Sequence, residues 1–369
     1  MECCQIQSLD NREYLALFKQ KIIRNRIPAG GCISLTYRCN LKCVHCYLGD
    51  KSVHDRDVKD ELTAAHWFSI IDQLVDAGCL GLLITGGEPL LRPDFADIYS
   101  YAREKGMLVT VFSNGTLFTD DILHLFNDLP PRAVEITLYG AGKATYEKIT
   151  GISGSYENCL ENIKRLVANR INLYLKTILM TINRNELSEM EKIAADLGVN
   201  FYFDGSIFPC ADGDKAPLEL RVSPEEIVEK EFSDTRKINE WKRYYTEREG
   251  FSPIDNRLYQ CGSGLTTFYI DPYGQLKPCL MADTPRYDLL EGNFQFGWDR
   301  VISRVREKKA QPASVCSTCK YMPLCRYCPP FFKLENGSED VPSQYICTLA
   351  KLRYEKITNC RLTESRHAK

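Results

Sequence analysis

From residue 32 to about residue 210 the chain alternates short apolar segments with amphipathic ones, and no other feature limits its fold so strongly. The segments CISLTYR, GLLIT, MLVTVFS, AVEITLY, LYLKTILMTI and VNFYFDG are rich in β-branched residues and predict strands. Between them lie helical patterns such as TAAHWFSIIDQLVDAG and SYENCLENIKRLVANR. Several of these open on a Ser, Thr or Asp cap and close at Gly. Six strand–helix units at this spacing imply a parallel sheet with right-handed crossovers. A closed barrel takes eight such units, so the expected α/β fold is an open, partial (β/α)6 TIM-like barrel.

The unusual residues fall where such a fold builds its sites. CNLKCVHC follows the first strand, GGEP the second, SNGT the third and YGAG the fourth, all at carboxyl ends. After Pro209 the pattern changes. The charged segment 225–250 reads as helical, YIDPYGQLKPC as a hairpin around Pro272, Tyr273 and Gly274, and the region near 345–357 as a final helix. The expected divisions are an N-terminal extension over 1–31, the barrel over 32–210, a helical linker over 211–260 and a cysteine-rich extension over 261–369. That extension would carry the β-hairpin and short helices.

A net charge of −2 offers no footprint for nucleic acid or an anionic membrane. No apolar run approaches a bilayer span, and the first residues lack a secretory layout, so a cytoplasmic protein is expected. Seventeen cysteines depart from ordinary composition. In a reducing compartment clustered thiols bind metal or do chemistry more often than they form disulfides. Ten of the seventeen fall into spaced groups. The other seven (Cys3, Cys4, Cys32, Cys79, Cys159, Cys210 and Cys360) read as small apolar residues or idle thiols. His54 and His66 invite a metal role, but His66 lies in a helical pattern and reads as structural or surface.

Cys39, Cys43 and Cys46 form C-x3-C-x2-C, three thiols where a structural zinc takes four ligands. A cubane cluster held by three cysteines keeps one iron open to a small molecule. This spacing after a first strand, with Gly86-Gly87-Glu88-Pro89 after the second, resembles the radical S-adenosylmethionine (SAM) enzymes over residues 32–210. The resemblance implies that SAM fills the open position of a 4Fe–4S cluster. The reduced cluster then cleaves SAM to a 5′-deoxyadenosyl radical, which abstracts hydrogen from substrate, chemistry that belongs to the cofactor and calls for anaerobic handling.

The resemblance also assigns SAM contacts. The loop at Gly86, Gly87 and Glu88 would accept the ligand's ammonium on backbone carbonyls, with glycines allowing close backbone approach. His45 stands where the family usually has an aromatic residue over adenine. Thr137 replaces a common serine, and Lys148 replaces an arginine, losing a bidentate fork. Ser113 and Asn114 would contact ribose or carboxylate, although SNGT alone also reads as a helix-entry turn.

Later come Cys261, Cys279, Cys316, Cys319, Cys325, Cys328 and Cys347. The central C-x2-C-x5-C-x2-C run alone reads as a zinc ribbon. The whole series resembles the SPASM extension of radical SAM enzymes, which holds two auxiliary iron–sulfur clusters. Position by position, Cys316, Cys319, Cys325 and Cys347 would hold the outer cluster, and Cys261, Cys279 and Cys328 the inner one. The cysteine that some members place between the first two is absent, leaving the inner cluster's fourth ligand open. Sulfatase-maturing relatives carry an Asp where this chain has Leu280.

The function this implies is a radical SAM oxidoreductase that oxidises or cross-links a ribosomally made peptide, through a thioether or carbon–carbon bond. The alternatives are haem- or quinone-cofactor biosynthesis and sulfatase-maturase-like chemistry. Outside catalysis they are an iron–sulfur electron-transfer protein and a zinc-stabilised scaffold. Expected cofactors are SAM and three iron–sulfur clusters. Expected partners are a peptide and an electron donor such as flavodoxin or ferredoxin. About 30 residues precede the first strand, too few for a winged-helix leader-binding domain, so a leader peptide would need a separate binding protein or be read by the segment 211–260. No nucleic acid or membrane partner is expected.

Overall fold

The computed structural model describes residues 10–49, 60–248, 256–311 and 314–367, and for 360–367 the backbone alone. Cys3, Cys4 and His54 lie outside the described residues, as does the side chain of Cys360.

The six expected strands are β1 (Gly30–Ser34), β2 (Gly81–Thr85), β3 (Leu108–Ser113), β4 (Ala133–Thr137), β5 (Leu173–Ile178) and β6 (Asn200–Asp204). All five pairings among them are parallel, from β1 with β2 through to β5 with β6. The helices are α1 (Asn11–Arg24), α2 (Ala64–Asp76), α3 (Phe95–Glu104), α4 (Asp120–Asp128), α5 (Lys143–Thr150), α6 (Ser155–Ala168) and α7 (Leu187–Asp196). Those between strands cover one face of the sheet. Trp67, Ile70, Phe95, Phe126, Ile163 and Met190 close there on Ile33, Ile84, Val111, Ile136 and Leu175, forming the main core. Each strand therefore turns alternate residues to the helices and to the barrel interior.

Local chemistry accounts for the helix starts. Thr119 caps α4 through its hydroxyl, and Thr63 caps α2. His66 shares the second cap, with Nδ1 3.3 Å from the backbone nitrogen of Thr63, so its role is structural. The strand patterns run past the observed ends of β1 and β5. Asn183 stops β5 by accepting the Met180 N–H at 2.8 Å and donating to the Ile178 carbonyl at 3.1 Å.

The sheet does not end at β1. In the cysteine-rich region, β7 (Thr267–Ile270) pairs in parallel with β1, and the hairpin leads into β8 (Gln275–Lys277) and β9 (Tyr287–Asp288). One nine-stranded sheet results, in the order β6-β5-β4-β3-β2-β1-β7-β8-β9. The charged segment forms α8 (Pro224–Glu231) and α9 (Thr235–Thr246), followed later by α10 (Phe294–Phe296), α11 (Pro329–Asn336) and α12 (Gln344–His367). The last helix is longer than expected, because no Gly or Pro interrupts 344–367. A buried bidentate pair, Arg353 with Glu231 at 2.6 and 2.7 Å, ties it to α8. Among the described residues, no helix is long and apolar enough to cross a membrane.

Candidate functional site

Beyond β1 the chain leaves the sheet and carries Cys39, Cys43 and Cys46 across the carboxyl end of the barrel. These three thiols line one cavity of about 260 Å³ with His45, Tyr47, Gly86, Gly87, Asn114, Tyr139 and Ile178. None of the three is joined in a disulfide, and Cys39 is exposed. Although the residue is exposed, the protein around its sulfur strips away enough water to push the Cys39 thiol up to about 11, with Glu88 and Cys46 adding to the rise.

The glycines serve a purpose beyond approach to a ligand. The Gly87 N–H donates to Thr36 O and the Glu88 N–H to Arg38 O, both at 2.8 Å. A Cβ on Gly86 would stand 2.3 Å from Thr36 O, and one on Gly87 2.3 Å from Arg38 O. Only glycine lets the β2 loop press against the strand exit that carries the cysteines.

Glu88 points away from the cavity and is fully buried. Its carboxylate accepts from the Asn114 N–H (2.7 Å), Ser113 Oγ (3.0 Å) and the Leu90 N–H (3.2 Å). Burial still lifts it to about 7, against the pull of these donors. Asn114 reaches back to the cysteine loop, with Nδ2 2.8 Å from Asn40 Oδ1 and 3.7 Å from Cys39 Sγ. Ser113 and Glu88 thus brace loops, and of this trio Asn114 alone lines the cavity.

His45 packs edge-on against Tyr139, with ring centroids 4.9 Å apart. Burial draws its imidazole down to about 4, so the ring is neutral near pH 7. Its Nδ1 is buried without a protein partner among the described residues. Thr137 ends β4, partly buried, and Lys148 stands exposed on α5; neither lines the cavity.

Residues 33–197 match the family model described as the Radical SAM superfamily. That stretch is a Radical SAM domain. Among curated relatives, the AdoMet-dependent heme synthase of Methanosarcina barkeri is 25% identical over 314 residues, 80% of this chain and 89% of that protein. Sporulation killing factor maturation protein SkfB of Bacillus subtilis is 26% identical over 72% of this chain and 63% of its own length. The structure of Streptococcus suis SuiB bound to precursor peptide SuiA superposes with a TM-score of 0.67 at 16% identity, covering 94% of this chain and 84% of that one. A second SuiB structure is bound to S-adenosylmethionine. The likeness to SuiB establishes the fold. The Radical SAM domain, with enzymes among its relatives, makes the chain an enzyme and implies SAM and a 4Fe–4S cluster.

Sequence reasoning missed several parts of this site. Cys210, read as idle, donates its thiol to the Cys46 carbonyl at 3.3 Å, and the Ala211 N–H donates to Tyr47 O at 2.8 Å. The loop after β6 therefore braces the cysteine loop from a distant part of the chain. Arg92, buried, donates to Leu35 O (3.0 Å) and Leu62 O (2.9 Å) beside Glu61. No local pattern marks either residue. Facing the barrel interior, Lys176 on β5 donates to Glu135 at 3.0 Å over the ring of Phe112, and the Tyr202 hydroxyl donates to the same carboxylate.

The seven late thiols sort into two sets. Burial raises Cys316 and Cys325, to about 11 and 12, and like-charge repulsion among Cys316, Cys319, Cys325 and Cys347 adds to it. Cys279 and Cys328 are raised by burial and then by repulsion within a group completed by Cys261. Leu280, next in the chain to Cys279, lines a cavity of about 670 Å³ with Tyr37, Tyr47, Asp271, Lys277 and Arg286 among others. Tyr47 lines both this cavity and the one beside Cys46, so the two share a wall.

Proposed function

We propose that Cys39, Cys43 and Cys46 hold a 4Fe–4S cluster whose open iron takes SAM. We further propose that the two late sets hold auxiliary clusters, and that the substrate is a ribosomally made peptide. The fit is chemical. Three thiols line a cavity floored by backbone glycines and walled by His45 and Tyr139. Among the described residues, no three His, Cys, Asp or Glu side chains converge closely enough to share a single metal ion. Three thiols with one position left open suit a cubane's fourth iron, whereas a structural zinc takes four ligands. When bound, SAM on the reduced cluster supplies a 5′-deoxyadenosyl radical that takes a hydrogen atom from substrate. The chain contributes orientation: Gly86 and Gly87 set the ligand's amino end, and neutral His45 offers a face to adenine.

The observation that carries the peptide reading is the larger cavity. Its wall mixes Asp212, Asp271, Asp283 and Asp288 with Lys277 and Arg286, and it opens beside Tyr47, next to the SAM cavity. A wall of both charges suits the varied side chains and amides of a peptide better than the apolar face of a tetrapyrrole. The maturation function in the name of SkfB points the same way. A second reading, porphyrin chemistry, draws support from the heme synthase, of which this chain spans 89%.

The test incubates the anaerobically reconstituted enzyme with SAM, dithionite and peptides encoded beside its gene, following 5′-deoxyadenosine and peptide mass. A loss of two hydrogens from a peptide supports oxidation or cross-linking. Conversion of an iron porphyrin with every peptide unchanged would favour the second reading.

A further inference from the structure

Of the seven late thiols, Cys261 alone is exposed, and guanidinium groups hold the segment that carries it. Arg306 Nη1 donates to Cys261 O at 2.8 Å and to Ser263 O at 3.4 Å. Arg26 Nη2 donates to Gly264 O at 3.2 Å. Arg257 lies in the same segment and forms a backbone bridge with Lys309. The turn over Gly297–Glu307 packs on Gly264 through Val305 and Ile302, and it presents Arg300 and Arg304 exposed. Residues 299–309, DRVISRVREKK, carry five cations against two carboxylates in a chain whose net charge is −2. Part of this charge is already matched, since Arg26 lies 3.8 Å from Asp299 and Lys308 2.8 Å from Glu339. Among the described residues, no carboxylate forms an ion pair with Arg300, Arg304 or Arg306.

We propose that this basic rim is the docking face for a small acidic one-electron carrier protein that exchanges an electron with the inner thiol set through Cys261. The inference rests on the reading that Cys261, Cys279 and Cys328 hold an iron–sulfur cluster. Transient redox partners meet over small interfaces, where complementary charge governs approach more than buried area does. A positive rim around the one exposed thiol of the late sets selects for an acidic surface. The step balances simply: the reduced carrier loses one electron and the inner cluster gains it, with no bond made or broken.

The test uses full-length protein with Cys39, Cys43 and Cys46 replaced by Ala, so that absorbance reports the auxiliary sets. Iron and sulfide are counted first. Reduced flavodoxin, an acidic flavin carrier, is then mixed with the parent and with R300E/R304E, at low and high salt. Reduction should slow about tenfold or more in the double variant and at high salt, while reduction by dithionite at fixed salt stays unchanged. Binding of oxidised flavodoxin at low salt should weaken in parallel. Equal rates and binding in the parent and the variant would overturn the docking face. An RNA oligomer bound as tightly as flavodoxin, and lost with the same substitutions, would overturn it too by marking a general polyanion site. An iron count lacking the inner cluster would bring down the cluster reading and this inference together. Iron present with rates unmoved removes only the docking face.

Discussion

Cys325 and Cys328 stand three residues apart in the chain and belong to different thiol sets. Cys325 ends a short turn over Met322–Leu324 and Cys328 caps α11, both in extended backbone. Replacing either with Ala should therefore remove different iron. Each variant should lose about four irons if each set holds a cubane. Electron paramagnetic resonance of the two proteins should show the loss of different signals. Loss of the same signal in both variants would merge the two sets.

Glu88 holds the loops of β2 and β3 together. A glutamine there cannot accept on its amide nitrogen, which leaves the Asn114 N–H or a neighbouring donor unmatched. Glu88→Gln should cost about 1–3 kcal/mol, read by denaturant unfolding. The pH dependence has a defined sign. Burial raises the carboxyl from an ordinary 4.5 to about 7, so the folded chain holds a proton that the unfolded chain releases in that window. The contribution of Glu88 to stability is therefore greatest below about 4.5 and is lost as pH rises through about 7. The cost of Glu88→Gln should be larger at pH 5 than at pH 7.5.

Gly87→Ala places a methyl group 2.3 Å from Arg38 O and 2.5 Å from Tyr37 O. Backbone cannot give way as a side chain does, so about 1–3 kcal/mol should be lost, and the iron bound by Cys39, Cys43 and Cys46 should fall. Gly142→Ala is the control, because a Cβ there meets nothing within 4 Å. Iron content and melting temperature measured together separate a displaced loop from general unfolding.

Lys176 is drawn down to about 8, chiefly by burial, with Glu135 opposing the shift. Between about 8 and an ordinary 10.5 the unfolded chain binds a proton that the folded chain has released, so stability from this group rises with pH there. Denaturation midpoints at pH 7.5, 9 and 10 should show the natural protein gaining on Lys176→Met as pH increases. A constant difference would mean that Lys176 titrates normally.

Replacing Cys39, Cys43 and Cys46 together with Ala should abolish 5′-deoxyadenosine formation while the late thiol sets still take up iron. Undiminished cleavage would falsify their assignment to the SAM cluster.

The sequence by itself determined the six parallel strands and the position of each motif loop, because both depend on short-range pattern. Periodicity sets which face of an element is buried, and the carboxyl ends of parallel strands must share one rim. It also located Cys39, Cys43, Cys46, His45, Gly86, Gly87 and Asn114, all of which line one cavity. Only the tertiary structure decided that β7 continues the sheet from β1, that Cys210 braces the cysteine loop, and that Arg92 holds the chain just beyond β1 at Leu35. It likewise showed that Glu88 faces loops instead of the cavity, that Lys148 stands outside it, and that Lys176 and Glu135 meet inside the barrel. These are contacts between residues far apart in the chain. Their partners are set by how strands and loops close in space, which leaves no trace in local spacing.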